Sequence, residues 1–475
     1  MKMLLAFLAG SAALSIARWR LGVFIMVFIG FFQDVVRKLD PQQDVIYTAM
    51  VTIYVALVII GVYLSGDHRK GERILSIFPF FRIPVTLFVS LIVIQAFRGY
   101  LEVNSLVIFG IGIIVYLSPI VAVLLGYRYV ITSLDCLRFL RFYVVVACIF
   151  LVGIYMEAMG MKHDLLGSVG SGIYIYTYKA VRLVTGFFRA SETAAWHGAT
   201  AAMLAMILVT IERRLFGRVL WVGMSLLATG AVFLTGRRKG LVEIAIFILF
   251  ALMLVIIGKR RFAKAYVGAI IGLCVVALSI IVYLPFGDYF RDLDAITYRL
   301  TSYARSPIER VWSMTIGSFD NVVSYNSVFG AGAGLGSQGA QYFGGMRTGG
   351  SAESGFGKIL AEIGVLGLVV FFWLIYRIGR YGRDILVVLK DRPVYEQLSV
   401  GIAAIMLANI VNFLAAHQAY GDPFVILMLG LLVGMFFALP VLAYKGLNLV
   451  GSGLQGERAH GDRLMKGPQE MVREL

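Results

Sequence analysis

Charge is scarce in this chain. Asp, Glu, Lys and Arg make up 15% of its 475 residues, against roughly a quarter in a soluble domain, which excludes a soluble fold. Cysteine is scarcer still: Cys136, Cys148 and Cys274 lie in or beside apolar spans, and neither long loop contains one, so no disulfide framework is available there. No His/Glu pair has zinc spacing such as His-Glu-x-x-His. Alternating apolar and polar residues, which a membrane barrel requires, are also missing; a stretch such as Leu241–Ile257 reads as apolar on every face. No internal repeat suggests the inverted halves of many transporters.

What is present in abundance is apolar sequence, 60% of the chain, in runs of about 17–22 residues that each suffice to cross roughly 30 Å of hydrocarbon. The fold class that follows is an all-α integral membrane protein, a polytopic bundle of about 12–13 transmembrane helices with a large outer loop. The expected spans are 3–17, 20–33, 45–64, 83–97, 104–126, 139–159, 195–211, 218–235, 241–257, 265–284, 358–376, 397–415 and 423–444. Leu21–Phe32 is short for a crossing unless the bilayer thins or the segment is re-entrant. Met1 to Ala17 resembles a signal peptide, but Arg18-Trp19-Arg20 and a further apolar run follow at once, so an uncleaved anchor is expected.

The net charge of +16 would suggest nucleic acid as a partner of a soluble protein. Here its distribution assigns it to topology, and no nucleic acid is expected. Segments 18–20, 65–82, 127–141, 212–218, 258–264 and 377–392 hold 21 Lys/Arg in 66 residues, whereas 33–44, 98–103, 160–194, 236–240, 285–357 and 416–422 hold 15 in 138. The denser set is expected to face the cytoplasm. Two outer segments, 160–194 and 285–357, are longer than connections need to be, which marks them as functional. The tail beyond Leu447 is polar and reads as disordered or a short surface helix.

Thr235-Gly236-Arg237-Arg238-Lys239-Gly240 places three positive charges on the side that should carry few. That violation suggests an anion held at the outer face. A guanidinium pair binds phosphate bidentately, and the helix beginning near Gly240 adds its N-terminal amides. The bland alternative is arginines reaching ordinary lipid phosphates. A second feature is the glycine-rich stretch 330–357, in which 11 of 28 residues are glycine; its backbone can adopt positive φ and approach a ligand. It is no P-loop, because no Gly-Lys-Ser/Thr closes it. Glu353, just before an apolar helix, is a candidate general base, or else a carboxylate favoured by the helix dipole. Arg291, Arg299, Arg305 and Arg310, with Trp312 after the last, fit an amphipathic helix on the membrane, with a ligand role open to one or more of them. Asp292-Leu293-Asp294 looks like the metal site of nucleotide-sugar transferases, but so short a pattern is common and no soluble nucleotide-binding domain exists here. His197 and His417 sit near outer helix ends, as interfacial histidines or substrate contacts.

The ordered set of a short Thr-x-x-Arg turn, a large outer loop and the helix Lys358-Ile359-Leu360-Ala361-Glu362-Ile363-Gly364-Val365-Leu366-Gly367 resembles the O-antigen ligase/polymerase superfamily of bacterial inner-membrane glycan-assembly enzymes. Motifs carry the resemblance over about residues 218–377, and hydropathy alone carries the rest. It implies about twelve helices with a periplasmic cap, a glycosyltransferase activity, an undecaprenyl-pyrophosphate-linked glycan donor, a glycan acceptor and no cofactor or metal. Membrane lipids and other polysaccharide-assembly proteins are the further partners it implies. Ligases of the family carry Ala-His-Asn about nine residues before the Glu-x-Gly of the next helix, whereas this chain has Ala352-Glu353-Ser354, with Glu362 nine residues later. The implied catalytic residue is therefore Glu353. Arg238, with Arg237 beside it, and less directly Arg310 take the pyrophosphate-binding role, and Lys239, Arg305, His197 and His417 are possible substrate contacts.

The implied organisation is 1–284 as N-terminal transmembrane helices with outer loop 160–194, 285–357 as a periplasmic catalytic loop, 358–447 as C-terminal transmembrane helices and 448–475 as a cytoplasmic tail. The activity expected is polymerisation of lipid-linked repeat units at the periplasmic face of the inner membrane. An O-antigen ligase or protein O-oligosaccharyltransferase is the near alternative. A transporter or flippase of an anionic or lipid-linked substrate is the alternative from another class; it would show charged or helix-breaking residues near the middle of several spans.

Overall fold

The computed structural model describes residues 2–40, 47, 50–66, 81–169, 173–176, 179–258, 312, 316–337, 340 and 354–452. In chain order the helices are α1 Lys2–Ala17, α2 Trp19–Leu39, α3 Met50–Leu64, α4 Arg82–Val103, α5 Leu106–Tyr129, α6 Ser133–Ala158, α7 Ser191–Ile211, α8 Leu215–Leu234, α9 Arg238–Ile257, α10 Phe319–Asn326, α11 Gly355–Val388, α12 Pro393–Ala415 and α13 Pro423–Ser452. Ten of those described are long and apolar enough to cross a membrane, and α1 and α3 are shorter apolar helices. Hydrocarbon offers the backbone no partner, so an apolar run must satisfy its amides within itself, and the helix does so. The protein is thus a multi-pass membrane bundle of α-helices. A two-stranded antiparallel hairpin, β1 Ile173–Tyr176 with β2 Lys179–Arg182, lies in the connection between α6 and α7.

Twelve of the thirteen expected spans fall on described helices, and 265–284 lies outside the described residues. The second span is corrected. Expected to end near residue 33, α2 continues to Leu39 with Gln33, Asp34 and Arg37 buried. In sequence its polar residues look like the start of a loop, but tertiary partners take them. Asp34 Oδ2 accepts from the Arg189 amide at 3.0 Å, and Lys38 Nζ donates to the Gly186 carbonyl at 2.7 Å.

Helix α7 is the most deeply buried of the described crossings. Its run of Ala and Gly lets neighbours approach closely, the usual way membrane helices gain packing without a hydrophobic drive. A Cβ on Gly198 would lie 2.7 Å from Cγ2 of Val232 in α8. Helices α5 and α13 meet in the same manner at Gly126 and Gly430.

The two ends of the bundle differ. At one, short turns are fixed locally: Thr132 and Asp135 form a capping box on α6, and Arg392 donates to the Ala443 carbonyl at 2.7 Å. At the other, which carries the longer connections and is called the loop end below, ion pairs cross between elements. Arg189 donates to Asp422 at 2.7 Å, and Glu157 Oε2 accepts from the amides of Thr185 and Gly186 at 2.9 and 2.7 Å. Burial works against the Arg189 charge, but Asp422 and Asp34 outweigh it and hold the guanidinium above its ordinary pKa.

Candidate functional site

The basic turn lies at the loop end between α8 and α9. Thr235 closes α8 with its hydroxyl on the Val232 carbonyl at 2.6 Å, and Gly236, at φ +65°, turns the chain where a side chain would be strained. Helix α9 then begins at Arg238. Arg237 points across to the first turn of α7, where Nε donates to Ser191 Oγ at 2.7 Å and the guanidinium pairs with Glu192. Lys239 Nζ donates to Gln418 Oε1 at 2.8 Å, bringing the segment after α12 against the turn. Arg238 is half-buried between these two attachments along the chain.

Beneath the turn, Glu243 of α9 is fully buried. Asn412 of α12 donates to its Oε2 at 2.5 Å, and Oε1 has no hydrogen-bond partner among the described residues. One turn back along α12, Asn409 Oδ1 accepts from Trp196 Nε1 at 2.8 Å and from the Tyr420 hydroxyl at 3.0 Å. Burial, reinforced by the nearby Glu243 charge, pushes the Tyr420 phenol well above its usual pKa, so it acts as a donor. The same end of α12 supports the start of α11, since a Cβ on Gly355 would meet the Phe413 carbonyl at 2.4 Å. Ser354 caps α11, accepting from the Gly357 amide at 2.9 Å. The C-terminal end of α12 therefore gathers the basic turn, the 416–422 segment and the N-terminus of α11.

A second polar centre lies within the apolar part of α11. The helix is broken at Gly364, whose φ +72° and ψ −173° only glycine accommodates readily. Into the break runs the glycine-rich segment. The amides of Ala331 and Gly332 donate to the carbonyls of Ala361 and Glu362 at 2.7 and 3.1 Å, and the Val365 amide donates to the Val328 carbonyl at 2.9 Å. On its other side the segment meets α4: the Ala333 amide donates to the Gln95 carbonyl at 2.9 Å, and Gln95 Nε2 donates to the Phe329 carbonyl at 2.8 Å. Residues 330–337 are thus packed among α4, α5 and α11, whereas most of the described residues from 316 to 329 are exposed. Irregular backbone inside a bundle is tolerated where its amides and carbonyls pair with protein, as those of Val328, Ala331, Gly332 and Ala333 do.

Of the residues expected at a site, the structure brings Arg237, Arg238, Lys239 and the His417–Gln418 segment to one end of the bundle. His197, next to Trp196 on α7, faces an aromatic interior. It is fully buried, with the Tyr143 hydroxyl 2.7 Å from Nδ1 and the rings of Phe31, Phe188 and Phe424 at 4.8, 5.7 and 4.7 Å. Glu353, Arg305 and Arg310 lie outside the described residues. Sequence reasoning missed Glu243, Asn409, Asn412, Tyr116 and Gln95. The stretch Leu241–Ile257 is not apolar on every face, because Glu243 stands within it; a lone carboxylate in a span was the available signal. Among the described residues no group of three or more His, Cys, Asp or Glu is placed to hold a metal ion. What the loop end offers chemically is cationic side chains and amide donors at the edge of an apolar bundle, suited to the phosphate groups of a membrane-borne anion.

Neither the protein-family models nor the curated proteins give a match to this chain.

Proposed function

We propose that the protein is a polysaccharide polymerase that joins undecaprenyl-pyrophosphate-linked repeat units at the periplasmic face of a bacterial inner membrane. The observation that carries this reading is the convergence of Arg237, Arg238 and Lys239 with the 416–422 segment and the α11 N-terminus on the C-terminal end of α12. A glycosyl pyrophosphate already has a good leaving group. The acceptor hydroxyl attacks the anomeric carbon, the bond from that carbon to the pyrophosphate breaks, and undecaprenyl pyrophosphate departs. The chain's own residues then have two tasks, to offset the departing diphosphate charge and to take the hydroxyl proton. The basic turn suits the first and Glu353, immediately before the α11 cap, suits the second. With both supplied by side chains, the transfer needs no metal.

The test is conversion of lipid-linked repeat units into longer glycans by the purified protein in lipid vesicles. Elongation on the lipid supports the polymerase. Transfer only after a lipid A-core acceptor is added assigns a ligase, and transfer only to an acceptor protein assigns an O-oligosaccharyltransferase. A second reading, a transporter of an anionic or lipid-linked substrate, draws support from the break at Gly364 beside the buried Glu362. Movement of labelled donor across the vesicle bilayer without elongation would favour it.

A further inference from the structure

The glycine segment is held by more than backbone pairing. Glu362, the residue two before the break, is fully buried. Its Oε2 accepts from the Tyr116 hydroxyl of α5 at 2.7 Å and from the Gly334 amide at 3.2 Å. Lys358 Nζ stands 3.6 Å from Oε1 and donates to Ser337 Oγ at 3.3 Å. One fully buried carboxylate therefore joins α5, α11 and the inserted segment, where losing a partner strands a buried polar group. The segment fits only because its neighbours lack side chains: a Cβ on Gly99 or Gly112 would meet the Ala333 carbonyl at 2.9 or 2.6 Å. Ser337 and Ser354, between which Ala340 alone is described, are both tied to the first turns of α11, Ser337 through Lys358 and Ser354 as the helix cap.

We propose that Glu362 is a positioning residue: it clamps Phe329–Gly334 to the break in α11 and thereby holds Ser337 against the first turns of α11, on the N-terminal side of the stretch that carries Glu353 in the sequence. The clamp stands on the contacts above, and its consequence for transfer rests on the polymerase reading. Tyr116 and Gly334 already share Oε2, so Glu362→Gln preserves size and can keep its amide oxygen on both donors, but it removes the charge that strengthens those bonds and sets an NH2 group against Lys358, which loses its counter-charge.

Leu335, buried against Ile108 and Ala340 just beyond the clamp, serves as the reporter. In a background with Cys136, Cys148 and Cys274 replaced by Ala, Leu335→Cys is labelled with N-ethylmaleimide, with and without Glu362→Gln. Labelling should be about tenfold faster or more in Glu362→Gln, the opening expected on losing a charge-assisted hydrogen bond. Elongation should fall by a similar factor while binding of the lipid-linked donor is unchanged. Tyr116→Phe, which removes a single bond, should show the same pattern more weakly and serves if Glu362→Gln does not fold. Unchanged labelling in both variants overturns the clamp. Faster labelling with full elongation overturns the positioning role. If the wild-type protein does not elongate lipid-linked units, the polymerase reading fails, and the labelling rates still decide the clamp.

Discussion

Arg237 and Glu192 form an ion pair that ties the basic turn to the first turn of α7, so the two adjacent arginines of the turn have different surroundings. Arg237 is committed in part to holding the turn in place. Arg238 stands at the first position of α9, where the helix amides and dipole also favour an anion.

The first expectation is that the two arginines separate under mutation. Arg238→Ala should lower transfer by on the order of 10²–10³ by removing stabilisation of the leaving diphosphate. Arg238→Lys should rescue poorly, because a point charge cannot make the forked contact. Arg237→Ala should instead lower thermal stability in detergent, by about 1–3 kcal/mol for a partly buried carboxylate left unpaired. Glu192→Gln combined with it should recover much of that loss. Wild-type turnover by Arg238→Ala at equal abundance would reduce that arginine to a lipid contact.

Glu353→Gln should lower elongation by roughly 10²–10⁴ while donor binding persists, if the carboxylate takes the acceptor proton. A helix-end carboxylate without a catalytic task would cost at most about 1 kcal/mol of stability and leave elongation intact. Parallel measurements of elongation and donor binding on the purified variant separate the two.

At the break in α11, Gly364→Ala should be strongly destabilising. The added Cβ would lie 2.5 Å from the Val328 carbonyl oxygen, and the φ/ψ region itself costs a non-glycine residue about 1–3 kcal/mol. The melting temperature in detergent should drop, whereas Gly379→Ala in the same helix, where nothing lies within 4 Å of the new atom, should melt as the wild type does. Equal melting of both variants would mean that the break is not needed for folding.

Topology can be read with two exposed positions, Asp164 at the loop end and Arg213 at the short-turn end. Introduced one at a time in the background without native cysteines, Asp164→Cys should react with an impermeant maleimide on intact cells and Arg213→Cys only after lysis. The reverse pattern would place the basic turn in the cytoplasm and remove the periplasmic transferase reading. Ser337, although in the long outer segment of the sequence, is buried and unsuitable as a probe.

Removing the Glu243 side chain tests the layer beneath the turn. Glu243→Ala should destabilise the fold by about 1–3 kcal/mol, because it leaves the half-buried Asn412 amide without this acceptor. Glu243→Gln, which can still accept that bond, should melt closer to the wild type. Identical melting of the two variants would show that the contact carries no stability.

The sequence by itself determined that the chain spans a membrane many times as helices, because an apolar run in hydrocarbon has few ways to satisfy its backbone and the run length counts the crossings. It also determined that a basic turn stands against the prevailing charge pattern. Tertiary structure alone decided where α2 ends, since Asp34 and Lys38 look like loop residues until Arg189 and the Gly186 carbonyl are placed beside them. It alone decided that Arg237 pairs with Glu192, 45 positions earlier in the chain. The glycine-rich segment shows the division most clearly. Its composition announced positive φ and close approach, both of which occur at Gly330, Gly332 and Gly334. That the approach would be made to a broken helix inside the bundle, around the Glu362 carboxylate, depends on Tyr116 and Gln95 from two other helices. Local pattern encodes what each residue can tolerate, and only the packed chain brings together the distant groups that use that tolerance.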